Sequence, residues 1–400
     1  MVRTPFHVDE GITSPMPGKD RPWRILQVLP RLDVGGVEQG TIDVAHAIAQ
    51  RGDVSLVASA GGNMALELPS LGAEHVPLPV NGKAPWTIWQ NAGRLADIIT
   101  ARGVDLIHAR SRAPAWSAYW AAKQTGIPLV TTFHGTYNFA TELKRRYNAV
   151  MAKGDRVIAI SEFIAWHLRA HYGLDGERIR VVPRGVDLLR FDPRNIHHER
   201  WVGLSTRWGL PESAPVILLP ARLTRWKGHT VLLDALAKLG RTDVCCLLVG
   251  ADQDGGGYRK ELQRAIVQRG LGQCVSVRDD CNDLPAAYML ADVVVSASTE
   301  PEAFGRVASE AQAMGVPLVA THHGGVPEQV LPGETAYLAP PGNADAMAKG
   351  LEWALGLDTE ARERLAERAR ERAREYSVQT MCAGVLEVYD ELLAPEGTRI

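Results

Sequence analysis

Two glutamates, Glu302 and Glu310, stand with seven residues between them in "STEPEAFGRVASEAQAMG" (298–315), a stretch otherwise made mostly of small and apolar residues. A helical pattern opens after Gly305 and stops at Gly315. Glu302 therefore belongs to a loop and Glu310 to the helix, about one and a half turns in. The helix is apolar enough to be buried. A solvated glutamate is the commoner reading on a helix face, but a buried carboxylate requires hydrogen-bonding partners, and a pair of ligand hydroxyls would serve. The backbone N–H groups of Phe304, Gly305, Arg306 and Val307 point at whatever occupies the helix start.

Other residues with chemical potential sit on similar loops. In "PARLTRWKGHT", Arg222 and Lys227 flank a strand-to-helix turn, with Lys227 directly before Gly228. Cations over a helix N-terminus oppose its dipole, and an anion such as a diphosphate removes the conflict. In "PRLDVGGVEQG", Gly35 and Gly36 precede a helix, where they serve either a tight turn or the close approach of a phosphate. His134 in "TTFHGTY" closes a strand beside a glycine; loop carbonyls would satisfy such a histidine as readily as a ligand would. Glu328 follows Gly324, Gly325 and Pro327, a pattern equally suited to a helix cap with proline in the first turn. "DQD" (252–254) has acidic spacing without a histidine or third carboxylate nearby, and the adjacent histidine pairs at 197–198 and 322–323 do not form a chelating set. No metal site is expected.

These loops need elements to position them, and the chain supplies two sets. Short apolar runs at 24–30, 53–59, 73–80, 104–110, 127–135, 155–161 and 179–185 alternate with helical patterns. The alternation breaks over 187–215, a polar, proline-bearing stretch that reads as an interdomain connection. It then resumes with 215–223, 243–250, 274–279, 291–298, 316–323 and 335–340. Apolar strands joined by helices predict parallel sheets covered on both faces, hence an α/β chain of two doubly wound, Rossmann-like domains. The expected division is a flexible tail over 1–22, a first domain over 23–195, a second over 196–377, and a terminal segment over 378–400. In such sheets ligands bind outside the carboxyl ends of the strands, where the residues above are found.

Bulk composition narrows the function classes. A chain of 400 residues suits two domains, and 44 basic against 46 acidic side chains leave no global field for nucleic acid. Five cysteines without chelating spacing suit reduced thiols, and the sequence has neither a signal peptide nor an apolar run long enough to span a membrane, so a cytoplasmic location is expected. The charged run "DTEARERLAERARERAREYS" (358–377) would suit a weak peripheral association with an anionic inner-membrane face, yet its glutamates nearly match its arginines and favour a solvated helix.

"ARLTRWKG", followed by "EPEAFGRVASEAQAMGVPLVA" and "GGVPE", resembles the nucleotide-sugar-dependent retaining glycosyltransferases of family 4, which have the GT-B fold. Glu302 and Glu310 match that family's pair of glutamates seven residues apart. The resemblance runs from about 24 to 393 and takes in "GGVE", "FHG", "AISEFI" and "VVPRGVD". It implies two Rossmann-like domains facing across a cleft and a last helix crossing back to the first domain. It further implies that Arg222 and Lys227 bind the donor diphosphate with the amides after Phe304 and the Gly35–Gly36 loop. Glu310 would hold the ribose, while Glu302 and His134 would meet the transferred sugar. The base would lie near 277–283, which adds Arg278 to the candidates, as "AISEFI" adds Ser161.

The implied reaction moves a hexosyl unit from a nucleotide-diphosphate sugar to a glycan or lipid-linked acceptor, with no cofactor beyond that substrate. "RLDVGGVEQG", "IHARSRAPAW" and "LLPARLTRWKG" look like the branch that builds bacterial envelope polysaccharide and lipopolysaccharide. Arg184 stands where many relatives have asparagine, and the "LVGADQDGGG" loop is longer and more acidic than usual. A nucleotide-sugar epimerase or a nicotinamide oxidoreductase would share the paired domains, but "GGVEQG" lacks the dinucleotide-binding spacing. A non-catalytic sugar-binding protein is the third reading, and the intact Arg222, Lys227, Glu302 and Glu310 speak against it.

Overall fold

A computed structural model describes residues 21–33, 35–137, 141–252 and 255–394. Most of the expected tail lies outside the described residues, as does the end of the "DQD" triplet. The chain divides into two compact units, one comprising Met1–Gly185 with Val378–Ile400 and the other Val186–Ser377.

The first unit holds strands β1 (Arg24–Val28), β2 (Val54–Ser59), β3 (Ala73–Pro77), β4 (Leu106–Ala109), β5 (Leu129–Phe133), β6 (Arg156–Ala159) and β7 (Ile179–Val181). They form one parallel sheet in the order β3-β2-β1-β4-β5-β6-β7. Each lies inside a run that the sequence marks as a strand. The connecting helices include α1 (Gly36–Gln50), α2 (Pro85–Arg102), α3 (Arg112–Thr125), α4 (Glu142–Asn148) and α5 (Glu162–Tyr172). Central strands such as β4 and β5 are buried throughout, as a sheet covered on both faces requires.

The second unit repeats the plan with β8 (Val216–Pro220), β9 (Cys245–Val249), β10 (Val275–Arg278), β11 (Val293–Ser296), β12 (Leu318–Thr321) and β13 (Ala336–Ala339), in the order β10-β9-β8-β11-β12-β13. Its helices are α6 (His198–Trp208), α7 (His229–Leu239), α8 (Gly257–Gln268), α9 (Leu284–Met289), α10 (Arg306–Met314), α11 (Val326–Gln329), α12 (Ala344–Leu355) and α13 (Thr359–Arg374). In each sheet the strand order reverses beside the first strand, at β1/β4 and at β8/β11. The loops leaving those strands are where an open α/β sheet binds ligands.

Two expectations are corrected. The segment 187–215 is part of the second unit: Val186, Phe191, Ile196, Leu204 and Trp208 are buried in its core, and Trp201, Leu204 and Trp208 give α6 its apolar face. The unit boundary accordingly falls at 185/186 rather than 195/196, because Val186 N already donates to Tyr376 O at 2.7 Å. The terminal helix α14 (Val378–Leu393) packs in the first unit against Ile25, Val44 and Leu106. It is anchored there by Tyr389 OH on His108 Nδ1 at 2.6 Å and by Arg51 on Asp390 at 2.7 Å.

Candidate active site

Lys227 and Glu302 arrive on the two loops that flank the β8/β11 reversal. After β8 the chain makes a short turn over Arg225–Lys227 and enters α7 through Gly228, whose φ is 71°. A Cβ there would stand 1.8 Å from the Ala297 carbonyl oxygen, so only glycine lets the Lys227 loop lie against the end of β11. Thr299 N donates to Trp226 O at 2.7 Å and joins the loops further. The Lys227 ammonium pairs with Glu302 Oε1, which also accepts from Ser298 Oγ at 2.6 Å. Both charged side chains are 13% exposed. The anion that the sequence demands opposite Lys227 is thus, in this state, Glu302 itself.

The backbone of Glu302 is held by the glycine pair that the sequence singles out. Gly325 N donates to Glu302 O at 2.8 Å, and a Cβ on Gly324, whose φ is 65°, would meet that same carbonyl at 2.1 Å. Behind the helix start, Gln312 Nε2 donates to Gln329 O at 2.6 Å and Thr335 Oγ1 to Gln312 Oε1 at 3.0 Å. Gln329 Nε2 reaches Gly325 O at 3.2 Å. This buried lattice fixes α10, which no side chain caps at Gly305. The first-turn amides of α10 are therefore turned outward beside the Lys227–Glu302 pair, as helix geometry requires. Phe304 is buried against Tyr376, while Arg306 is exposed and Val307 half-buried.

Glu310 is buried and accepts from Tyr288 OH at 2.9 Å through Oε2. Burial raises its pKa above the usual carboxylate range, against the opposing pull of Arg306 and of the Tyr288 hydrogen bond. Tyr288 escaped the sequence reading because its α9 helix is distant in the chain. The requirement for a partner was legible, the identity of the partner was not.

The first unit assembles its own group of residues at the corresponding reversal. Gly35 and Gly36 lead into α1 without a side-chain cap. Arg184 Nη2 donates to Gly36 O, and Arg184 Nη1 lies 3.2 Å from His134 Nδ1. A guanidinium only donates, so Nδ1 accepts and the imidazole proton sits on Nε2. Burial first, then Arg184 and Arg110, hold His134 well below the ordinary histidine range, which keeps it neutral at pH 7. Its Nε2 is buried without a partner among the described residues. Buried Arg110, whose Nη1 donates to Gln27 Oε1 at 3.1 Å, was not anticipated; it follows β4 as His134 follows β5.

Three further candidates have structural contacts of their own. Ser161 caps α5, its Oγ accepting from Ile164 N at 3.1 Å. Arg278 donates through Nη2 to Trp208 O at 2.7 Å and lines a cavity of about 480 Å³ with Trp208, Thr242, Cys245 and Gln273. That cavity lies by the starts of β9 and β10, at the opposite end of the sheet from Lys227. Glu328 anchors α13 through its backbone: its carbonyl accepts from Arg372 Nη2 at 2.7 Å and Tyr376 OH at 2.5 Å. Arg222 is exposed on the Lys227 loop. Among the described residues no three His, Cys, Asp or Glu side chains form a metal-binding group, and no helix is long and apolar enough to cross a membrane.

Residues 34–190 match the family model for Glycosyltransferase Family 4 and residues 204–372 that for Glycosyl transferases group 1. The D-inositol 3-phosphate glycosyltransferase of Salinispora arenicola is 33% identical over 73% of this chain and 70% of its own length. A glycosyltransferase from Rickettsia africae superposes with a TM-score of 0.87 at 37% identity, covering 94% of this chain and 100% of that one. Anabaena HepE in complex with UDP and glucose gives 0.78 at 27% identity, over 92% of this chain and 100% of that one.

Proposed function

Because the chain belongs to glycosyltransferase family 4, and is a transferase of GT-B fold, we propose that it moves a hexosyl unit from a UDP- or GDP-sugar to a glycan or lipid-linked acceptor. The reading further assigns it retention of anomeric configuration, a role in envelope polysaccharide or lipopolysaccharide synthesis, and a cytoplasmic site of action. The observation that carries it is the Lys227–Glu302 pair beside the uncapped start of α10, with Glu310 buried one turn further in. The complex of HepE with UDP and glucose favours a uridine donor.

In this reading the donor diphosphate takes Glu302's place opposite Lys227, with Arg222 and the first-turn amides of α10 completing its cradle. The bond between the sugar C1 and the β-phosphate oxygen breaks, and its electron pair stays on the diphosphate. Two cations and a helix start stabilise that growing charge without a metal ion. The acceptor oxygen attacks C1 from the same face and yields its proton to the departing phosphate oxygen. Glu302, freed from Lys227, turns to the sugar hydroxyls. Neutral His134 has its Nε2–H free to donate to a sugar hydroxyl, and Glu310 receives the ribose hydroxyls.

Thermal-shift titration with UDP-, GDP- and ADP-sugars in chelator tests the donor assignment. One saturable response is expected, and silence toward every nucleotide diphosphate would sink it. Glu310→Ala should weaken nucleotide binding, whereas Glu302→Ala should mainly slow transfer; equal loss of binding in both refutes this division of roles.

A further inference from the structure

The cavity of about 480 Å³ beside the starts of β9 and β10 has no part in the donor chemistry proposed above. Small-molecule pockets span about 300–1,000 Å³, so its size suits a metabolite rather than a lone ion.

Its charge comes from half-buried Arg278. The bond from Nη2 to Trp208 O caps the end of α6, and a helix C-terminus carries roughly half a negative charge, so much of the guanidinium's charge stays uncompensated. Nε is buried without a partner, and Nη1 makes no hydrogen bond among the described residues. The neighbouring carboxylates are engaged elsewhere. Asp279 pairs with Arg259, while Asp280 accepts from Trp208 Nε1 at 3.3 Å and lies 3.8 Å from Arg207. Asp243 lines the cavity, but Arg241 holds it through two hydrogen bonds of 2.8 and 2.6 Å. Cys245 and Cys274 line it as well; burial raises both thiols above their usual range, against the opposing pull of Arg278 on Cys245, and keeps them neutral. The cavity thus presents a cation without a matching anion.

We propose that this cavity binds a sugar phosphate at a site separate from the donor's. A phosphate monoester brings close to two negative charges and three acceptor oxygens to the uncommitted donors of Arg278. The hydroxyls of Ser213, Thr242 and Ser276 and the amide of Gln273 offer hydrogen bonds to the sugar. A nucleotide fits less well, because Trp208, the aromatic residue in the lining, is 3% exposed and presents no face on which a base could stack. The proposal does not rest on the donor reading, with which it shares no residue.

Isothermal titration of the full chain with glucose, mannose and galactose 6-phosphates tests the proposal. At least one should bind saturably, with inorganic phosphate about tenfold weaker and the unphosphorylated hexoses silent. Arg278→Gln should lower that affinity by about tenfold or more, and Arg278→Lys should fall between it and the parent. Gly272→Phe fills the cavity without touching Arg278: Gly272 lines it, its φ is not positive, and a Cβ there would meet nothing within 4 Å. This variant should lose sugar-phosphate binding while its melting temperature and its thermal shifts with nucleotide sugars match the parent's, which separates the result from failure of the donor site. Silence toward all three sugar phosphates overturns the proposal, as does inorganic phosphate binding as tightly as the best of them. So does full binding in Gly272→Phe, or displacement of the sugar phosphate by UDP.

Discussion

Glu310 shows how much one hydrogen bond can govern at the residue scale. Its carboxylate is buried, and the Tyr288 phenol that supports its charge is itself pushed well above the usual tyrosine range by burial and by Glu310. Tyr288→Phe should lift the Glu310 pKa further and destabilise the second unit by about 1–3 kcal/mol. Isothermal titration should show weaker nucleotide affinity, with kcat at saturation nearly unchanged; a loss confined to kcat would contradict the ribose role. Two pH effects of opposite sign follow. A raised carboxyl favours the fold below its unfolded pKa and loses that contribution as pH rises through the folded value, so donor affinity, which needs the charged form, should fall on acidification earlier than for an ordinary glutamate. His229, lowered to about 4 chiefly by burial, contributes stability above its unfolded pKa of 6.5, which is lost as pH falls through the folded value. That loss is on the order of 3 kcal/mol between neutral pH and pH 4, and urea unfolding across the interval checks it.

At the scale of elements, the site is made by loops forced into contact by glycines. Gly228 seats the Lys227 turn against Ala297, and Gly324 seats the α11 approach against Glu302. Both have positive φ and face a backbone carbonyl, which cannot give way as a side-chain tip would. Gly324→Ala should therefore displace Glu302, lower transfer by at least about tenfold, and reduce melting temperature through strain of roughly 1–3 kcal/mol. Gly333→Ala, also at positive φ but with open space around it, supplies the control for backbone strain alone. Equal activity loss in both variants would show that close approach is irrelevant. The sequence marked these glycines as turn or ligand positions without choosing; contact with Glu302 makes Gly324 a positioning residue.

On the scale of the whole molecule, the chain leaves the first unit at Val186 and returns to it at Val378. The second unit is continuous in sequence, and its core is built from its own residues. A fragment spanning 186–377 should fold alone, with cooperative unfolding, and should retain nucleotide binding through Lys227 and Glu310. A fragment ending at 185 should not, since it lacks α14 and leaves Ile25, Val44, Leu106 and His108 uncovered. Circular dichroism and thermal shift on the two fragments would decide, and an unfolded 186–377 would refute the autonomy of the donor-side unit.

The sequence by itself determined the strands and the parallel α/β class, because short apolar runs separated by helical periods allow few other arrangements. It also marked Lys227, Glu302 and Glu310, since loops after strands are where charge departs from what packing alone would place. It missed α6, whose tryptophan and leucine spacing was masked by a polar and proline-bearing surround. It did not reveal that Arg278 donates to Trp208 O or that Ser161 accepts from Ile164 N. Only the tertiary structure decided which charges meet: that Lys227 pairs with Glu302, that Tyr288 serves Glu310, and that Arg184 sets the tautomer of His134. Those pairings depend on strand order, which brings β11 beside β8 and leaves residues 75 positions apart within reach of one hydrogen bond. Periodicity along a chain carries no record of that order.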